Sequence, residues 1–217
     1  MNIPIAPIDE SLPRRERERL QHRRDITQAA IKVFAEKGFF NATLDDIAKE
    51  AEFSKGALYN YFASKEDMLF SILKEHVEFS FKYGRELLDE NIPFREAITE
   101  LFVKFAEFSY DAPEFFDLFI NLHNSGFKML SDENRAELNG YHDRLHEMTV
   151  TRIEKAKADG ELCDVPACAV EGILHGSLDN LLITHWDMPS RDCISSYVET
   201  FMNIIFNGIA NREGEHR

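Results

Sequence analysis

The chain has 217 residues, of which 44% are hydrophobic, and this is enough for one large domain or for a small domain packed on a larger one. Its formal net charge of -14 by itself argues against binding to nucleic acid. No stretch approaches about 18 apolar residues without a charge, so the sequence predicts no membrane-spanning helix. The start of the chain also lacks the pattern of a secretion signal.

The charges are unevenly distributed along the chain. Residues 1–62 contain 10 basic and 10 acidic side chains, whereas residues 63–217 contain 15 and 29. Within residues 11–40 the counts are 8 and 4. A basic beginning on an acidic body is typical of a protein that contacts phosphate at one end, although a solvated helix face gives the same pattern.

The three cysteines give no sign of a disulfide or metal framework. Cys163, Cys168 and Cys193 are odd in number and lack the spacing of metal ligands. We expect reduced thiols in a cytoplasmic protein, with no metal and no cofactor.

Periodicity along the chain predicts an all-α fold. Residues 1–22 contain Pro4, Pro7 and Pro13 and are predicted to be a flexible tail that becomes helical by about Asp25. From there onwards every convincing segment repeats its apolar residues with helical spacing. In the second part of the chain the predicted helices span residues 94–111, 113–129, 132–159, 166–187 and 190–211.

The first hundred residues contain the pattern of a helix-turn-helix. A first helix ends at Gly38, and Thr43 and Ser54 are then placed to cap a second helix and a very short third helix, which runs from Lys55 to Tyr61. Ser64 caps a long fourth helix. Helix, short turn, short helix and long connecting helix is the layout of this DNA-binding motif.

The run from Gly38 to Ala48, followed by Phe53 to Phe62 and by Ser64-Lys65-Glu66, resembles the tetracycline-repressor (TetR) family of bacterial regulators. The resemblance is close over about residues 24–75 and is one of length and helical layout beyond them. It implies a three-helix DNA-binding domain over residues 23–66. It also implies a helical effector-binding and dimerisation domain over residues 67–217, with a double-stranded DNA operator and a small-molecule effector as partners.

The chemistry of the short third helix agrees with this resemblance. Lys55 can donate to phosphate or guanine, Asn60 can pair with adenine through its amide, and Gly56 permits close approach to the duplex. The predicted DNA-binding residues are Thr43, Ser54, Lys55, Gly56, Ala57, Tyr59, Asn60, Tyr61 and Lys65.

Two features near this motif raise further questions. The family usually has glycine in the turn where this chain has Glu52, and a left-handed backbone there costs roughly 1 kcal/mol. The arginine-rich segment from Arg14 to Arg24 can reach an adjacent minor groove as an arm, or it can be a solvated tail without a DNA contact.

Eight phenylalanines between Phe94 and Phe127 indicate either a roomy apolar cavity or a packed core. The family resemblance implies an effector pocket in this part of the chain. His142 and His146 share a helix face, but no third ligand follows from the spacing, so a solvated pair is favoured over a metal site. The predicted ligand-binding residues are Phe102, Phe105, Phe108, Phe116, Phe119, His123, Phe127, His146, His175 and Asp179.

The last two long helices are predicted to form the interface of a homodimer. Gly172 and Gly176 are four residues apart and permit close helix approach, and two such helices from each subunit would form a four-helix bundle. The sequence therefore predicts a DNA-binding regulator, in which a small apolar or aromatic effector releases a repressor from a palindromic operator. A ligand-independent DNA-binding regulator is one alternative. An enzyme is the least favoured, because the chain has neither a glycine-rich phosphate loop nor a nucleophile elbow.

Overall fold

The computed structural model describes residues 8–89, 92–125, 127–184 and 190–209, with the side chains of residues 89, 123, 124, 182–184, 208 and 209 left out. Every long element in these ranges is a helix, and the all-α prediction is confirmed. The helices are α1 (Arg14–Lys37), α2 (Leu44–Glu50), α3 (Lys55–Leu58), α4 (Lys65–Asp89), α5 (Phe94–Asp111), α6 (Pro113–Asn124), α7 (Asp132–Ala158), α8 (Ala167–Thr184) and α9 (Asp192–Ile209). None of the described helices is long and apolar enough to cross a membrane.

The chain forms two compact units, and the first comprises Met1–Val77 and Asp111–Leu138. Within this unit α1 packs against α2 and α6, and α2 packs against α3. Apolar residues at helical spacing on each of these helices point inwards. Those that are buried to the greatest extent include Ile26, Phe34, Ile47, Leu58, Met68, Leu69, Ile72, Leu73, Phe115 and Phe116.

A histidine lies inside the core of the first unit. His76, on α4, is only 4% exposed. Its ring centroid lies 4.6 Å from that of Phe115, 5.6 Å from that of Phe116 and 4.9 Å from that of Phe119. Burial in this apolar surrounding lowers the pKa of His76 to about 3, because the charged imidazolium loses its hydration there. His76 is therefore neutral at physiological pH.

The capping residues that the sequence predicts lie at the helix ends of the first unit. Thr43 precedes α2 and accepts from the amide of Asp46 at 3.1 Å, while the Asp46 carboxylate accepts from the Thr43 amide. This reciprocal arrangement satisfies amides that a helix start leaves without partners. Ser54 accepts from the amide of Ala57 in the same way at the start of α3. Gly38 follows α1 with a φ of 74°.

The prediction of a flexible tail over residues 1–22 is wrong for its second half, because α1 already begins at Arg14. Pro13 stands at the N-cap, where its missing amide costs little. Pairs four residues apart then support the first turns, with Arg14 donating to Glu18 at 2.7 Å and Gln21 to Asp25 at 2.8 Å. Residues 1–7, with Pro4 and Pro7, lie outside the described part of the chain.

The second unit comprises Glu78–Tyr110 and Asn139–Arg217. Its core is built from the inward faces of α5, α7, α8 and α9. Residues in it that are almost fully buried are Phe94, Ala97, Ile98, Phe102, Ile153, Ala156, Ile194, Val198 and Met202. The carboxylate of Glu161 accepts from the amide of Phe94 at 2.6 Å and so caps α5 from a distant loop.

The compact units follow a different division from the predicted domains 23–66 and 67–217. α4 contributes its residues up to Val77 to the first unit and the following residues to the second. The segment 111–138, which contains α6, also belongs to the first unit. The reason is packing, since α6 buries its phenylalanines beside α1 and His76 rather than in the second unit.

Candidate nucleic-acid interface

The segment from Ser54 to Phe62 presents one exposed face. α3 itself ends at Leu58, earlier than the predicted Tyr61, and tight turns continue to Phe62, whose amide donates to the Leu58 carbonyl at 3.0 Å. Leu58 and Phe62 are buried, whereas Ala57 and Tyr61 are half-buried. The residues of this segment that face solvent are Ser54, Lys55, Gly56, Tyr59 and Asn60. Two buried anchors thus hold a short surface of polar and aromatic side chains in place.

Gly56 leaves the backbone of this surface without a side chain. A Cβ added to Gly56 would meet only the Ser54 hydroxyl oxygen, at 4.0 Å. Nothing inside the chain therefore requires glycine here. The backbone is left open to a partner that must come close, as a duplex does when a helix enters its major groove.

Lys55 is held beside an acid in the free chain. Its ammonium donates to the carboxylate of Asp45 at 2.8 Å, and both side chains are exposed. The carboxylate raises the pKa of Lys55. An exposed pair of this kind contributes little to stability, so Lys55 can leave Asp45 for a phosphate or a guanine at small cost.

Two hydroxyls of the predicted set are already engaged in capping. The Thr43 hydroxyl donates to the Asp46 carboxylate at 2.7 Å, so its single proton is not available to a phosphate in this arrangement. Ser54 uses its oxygen as the cap of α3. Both residues position the helices of the motif.

Lys65 has a different position from the one expected of a phosphate ligand. Its ammonium donates to the carbonyls of Phe39 at 2.7 Å and Ala42 at 2.9 Å, with Phe40 at 3.5 Å, and lies 4.5 Å from the centre of the Phe39 ring. These three acceptors match the three donors of an ammonium group. Lys65 therefore fixes the loop between α1 and α2 to the start of α4, which is a positioning role that the sequence pattern did not indicate.

The segment from Ser54 to Phe62, called the recognition segment from here on, is supported by residues of α1 that the sequence pattern did not indicate. His22 lies with its Nδ1 atom 3.2 Å from the Tyr61 hydroxyl, and its ring lies edge-on to that of Phe53 at 5.2 Å. Arg23 donates to the Tyr61 carbonyl at 3.3 Å, and its guanidinium lies 4.5 Å from the centre of the Phe62 ring. Nothing in the local spacing points to these contacts, because they join residues almost forty positions apart.

Comparison with known proteins agrees with this geometry. Residues 26–72 match the family model described as bacterial regulatory proteins of the tetR family. Over 97% of its length the chain is 25% identical to the HTH-type transcriptional repressor KstR2 of Mycolicibacterium smegmatis, of which it covers 98%. Residues 26–72 therefore carry the domain of the TetR family of bacterial regulators. The prediction of a DNA-binding transcriptional regulator is thereby confirmed.

Solved structures of TetR-family proteins share the fold over most of the chain. The regulator PfmR from Thermus thermophilus has a TM-score of 0.73 at 24% identity, over 88% of this chain and 99% of that one. FadR from Bacillus subtilis, solved in complex with stearoyl-CoA, has a TM-score of 0.66 at 19% identity, over 85% and 98% of the two chains. At these identities the likeness shows the fold.

The second unit of the chain contains a cavity of about 70 Å³. Its lining combines apolar side chains with imidazoles and a carboxylate. The apolar lining consists of Ile98, Leu101, Phe102, Leu145, Leu174 and Leu178. The polar lining consists of His142, His146, Thr149, Glu171 and His175.

The polar lining contains two pairs of side chains in contact, which together are called the polar cluster. The Nε2 atoms of His142 and His175 lie 3.3 Å apart, and the Nδ1 atom of His146 lies 2.9 Å from the carboxylate of Glu171. Glu171 is only 8% exposed, whereas the three imidazoles are partly exposed. Within the described ranges no three histidine, cysteine, aspartate or glutamate side chains are grouped as metal ligands. The cluster is suited to hydrogen bonding with a polar group at the end of an otherwise apolar molecule.

The predicted ligand-binding residues do not form one group. Phe102, His146 and His175 line the cavity. Phe105 and Phe108 are buried elsewhere in the second unit, and Asp179 is exposed with a carboxylate oxygen 3.7 Å from His175. Phe116, Phe119 and Phe127 belong to the first unit, where Phe116 and Phe119 surround His76. The side chain of His123 lies outside the described part of the structure.

The division of the phenylalanines is the correction that the structure makes to the predicted aromatic cavity. Most of the aromatic rings fill cores, and aliphatic side chains line the cavity instead. Glu171 was missed, although it lies four residues before His175 on α8 and so shares a helix face with a predicted residue. That spacing was the available signal.

Proposed function

We propose that this chain is a homodimeric transcriptional repressor that leaves a palindromic operator when a small apolar molecule with a polar end binds in the second unit. The observation that carries the proposal is the mixed lining of the cavity, in which mainly aliphatic side chains are combined with three imidazoles and Glu171. Small-molecule sites in proteins have this composition, with few polar groups that orient the ligand. The name of the M. smegmatis relative, a transcriptional repressor, supports the direction of regulation.

The hydrogen-bonding groups narrow the class of effector. The Nε2 atoms of His142 and His175 lie 3.3 Å apart, so one ring donates to the other in the absence of an effector. A hydroxyl or a protonated carboxyl group that entered between the two rings would accept from one of them and donate to the other. A long-chain acid or alcohol satisfies this requirement and the aliphatic lining together. That FadR was solved with stearoyl-CoA agrees with an acyl effector.

The cavity is smaller than the sites that hold such molecules, which usually enclose about 300–1,000 Å³. An effector must therefore bind to a wider form of the second unit, and its binding energy favours that form over the closed one. Leu145 on α7 is a side chain whose displacement would widen the cavity, and it packs directly on Gly84 of α4. Because α4 runs from one unit into the other, a shift in its second half is the proposed route to the recognition segment.

An exposed apolar face on α8 and α9 supports a symmetric dimer. Ile173 is 55% exposed, Tyr197 47% and Ile204 69%, which is unusual for large apolar side chains grouped on neighbouring helices. A Cβ added to Gly172 or Gly176 would meet nothing within 4 Å. A groove of about 300 Å³ also opens on this face, and its lining includes Gly176, Leu181, Tyr197 and Phe201. A second copy of the chain would cover these surfaces and explain the glycines.

The test is a titration of the protein–DNA complex with candidate effectors. Duplexes selected by the protein from a random pool serve as probe, and saturated fatty acids, the matching alcohols and the matching methyl esters are added in turn while fluorescence anisotropy is followed. We expect acids or alcohols of one range of chain lengths to release the DNA. Esters, which cannot donate a hydrogen bond, are expected to act more weakly.

A matched pair of variants tests whether the effector acts by binding in the cavity. Thr149 lines the cavity, whereas Thr151, two residues further along α7, is exposed, and both hydroxyls donate to the carbonyl four residues earlier. Thr149→Met should abolish release by filling the cavity, while Thr151→Met should respond like the wild type. If both variants respond equally, or if no acid or alcohol releases the DNA, the proposed mechanism is wrong.

A further inference from the structure

The first turns of α1 form an exposed helical extension, defined here as residues 13–22, all of which are exposed to solvent. Nothing among the described residues of the first unit buries them, yet they continue the same helix that buries one face from Ile26 onwards. A helix of this length without a buried face needs a reason for being there, because an apolar stripe is the usual source of helix stability in a folded protein.

The extension is tied to the recognition segment at its base. His22 contacts the Tyr61 hydroxyl and the Phe53 ring, and Arg23 contacts the Tyr61 carbonyl and the Phe62 ring. The direction of the extension is thus fixed relative to the surface that faces DNA. It cannot swing as a flexible arm would.

Two arginines lie on the side of the extension that faces the recognition segment. Arg15 and Arg19 precede His22 by seven and three residues, so the three side chains share one helix face. At about 1.5 Å per residue, Arg19 lies about 5 Å and Arg15 about 11 Å beyond His22 along the helix axis. Arg17 lies on the opposite face.

The charges of these two arginines are not used inside the described structure. Arg14 donates to Glu18 at 2.7 Å, but among the described residues neither Arg15 nor Arg19 takes part in an ion pair or a side-chain hydrogen bond. The major groove is about 12 Å wide and is bordered by a phosphate backbone on each side. Arg19 and Arg15 stand about 5 and 11 Å along α1 from His22, which contacts the segment seated in the groove, so guanidinium groups at these two positions are within reach of that bordering backbone.

From these observations we infer that Arg15 and Arg19 bind backbone phosphates that flank each half-site, so that the helical extension of α1 enlarges the DNA footprint beyond the helix-turn-helix. The contact is independent of base sequence, because guanidinium groups on phosphates position a protein without reading bases. This inference rests on the DNA-binding role of the chain and adds a second contact surface to it.

The experiment compares two double variants that remove the same charge from the same extension. Arg15→Gln with Arg19→Gln changes the face that is proposed to contact DNA, and Arg14→Gln with Arg17→Gln serves as the matched control. Circular dichroism checks that both variants keep the helix content of the wild type. The dissociation constant for a selected duplex is measured over a series of salt concentrations.

Each phosphate contact contributes about 0.9 to the slope of log affinity against log salt concentration. We expect the Arg15/Arg19 variant to lose about 1.8 from this slope and the control to lose less than half as much. Trimming the base pairs outside the half-sites should lower the wild-type slope by the same amount and leave the slope of the Arg15/Arg19 variant unchanged. Equal slopes for the two variants, in a wild type that binds the duplex, would overturn the inference while leaving the regulator assignment intact. A wild type that binds no duplex would overturn both.

Discussion

At the scale of single residues, Glu52 has a backbone conformation that suits glycine better. Its φ is 59° in the turn between α2 and α3, and the left-handed region costs an L-residue about 1–2 kcal/mol. This conformation lets the amide of Phe53 donate to the carbonyl of Ala48 at 2.9 Å, and that hydrogen bond closes the turn.

Glu52→Gly is therefore expected to raise the free energy of unfolding by about 1 kcal/mol, as measured by urea denaturation. Glu86→Gly is the control, because Glu86 is exposed inside α4 and glycine there should lower stability by about the same amount. A loss of stability in both variants would contradict the proposed strain at Glu52.

The buried imidazole of His76 makes stability depend on pH. Its pKa is lowered from 6.5 to about 3 in the folded chain, so the unfolded chain binds the proton more readily between these values. The stability is complete above pH 6.5 and falls by up to about 1.4 kcal/mol for each pH unit below it, until the folded pKa is reached.

Unfolding of the wild type and of His76→Leu at pH 7 and pH 5 tests this account. The wild type should lose about 2 kcal/mol more than the variant between these two pH values, whatever the difference in stability at pH 7. An equal loss in the two proteins would show that His76 is accessible to protons in the folded state.

At the scale of secondary-structure elements, α4 and α7 pack closely at Gly84. A Cβ added there would lie 2.8 Å from a methyl carbon of Leu145, which is too short for ordinary contact, and Leu145 also lines the cavity. The glycine thus permits the approach of the two helices.

Gly84→Ala is expected to lower stability by less than about 1 kcal/mol, because the overlapping methyl is at the end of the Leu145 side chain, which can shift towards the cavity, and because alanine has the better helix propensity. In combination with Leu145→Ala the cost of Gly84→Ala should largely disappear, because the clashing methyl is gone. Additive effects in the double-mutant cycle would mean that the two side chains do not meet.

Local signals in the sequence were enough to predict most of the elements. The span of α5 was predicted as 94–111, and α7 ends one residue before the predicted position, because apolar periodicity, prolines at helix starts and Gly160 act within a few residues. The caps at Thr43 and Ser54 are local in the same way. Such features need no knowledge of the tertiary fold.

Features that depend on distant contacts were not predictable in this way. The contacts that His22 and Arg23 of α1 make with Tyr61 join residues almost forty positions apart. The role of Lys65 depends on three loop carbonyls that converge only in the folded unit. The assignment of Phe116 and Phe119 to the core around His76 likewise follows from how α6 packs.

At the scale of the whole molecule, dimerisation through α8 and α9 can be tested without disturbing the single subunit. Gly176→Leu adds a side chain where the subunit leaves open space, so the variant should keep its helix content and become monomeric in light scattering. Gly140→Leu is the control, since Gly140 lies on α7 with only the Arg144 guanidinium near it, at 3.9 Å. If Gly176→Leu remains dimeric, the interface lies on another face.

The central claim is that the exposed segment beginning at Ser54 enters the major groove, presented twice by a symmetric pair. Hydroxyl-radical footprinting and purine methylation protection on a selected duplex test it most directly. The variant is Gly56→Leu, because a Cβ there meets only the Ser54 hydroxyl oxygen in the protein, at 4.0 Å, whereas the leucine side chain would meet the duplex. The account predicts two symmetric protected major-groove patches, with centres about 34–36 Å apart or a multiple of this distance, and their loss in a Gly56→Leu protein that remains folded. A single asymmetric patch, or unchanged protection by Gly56→Leu, would contradict it.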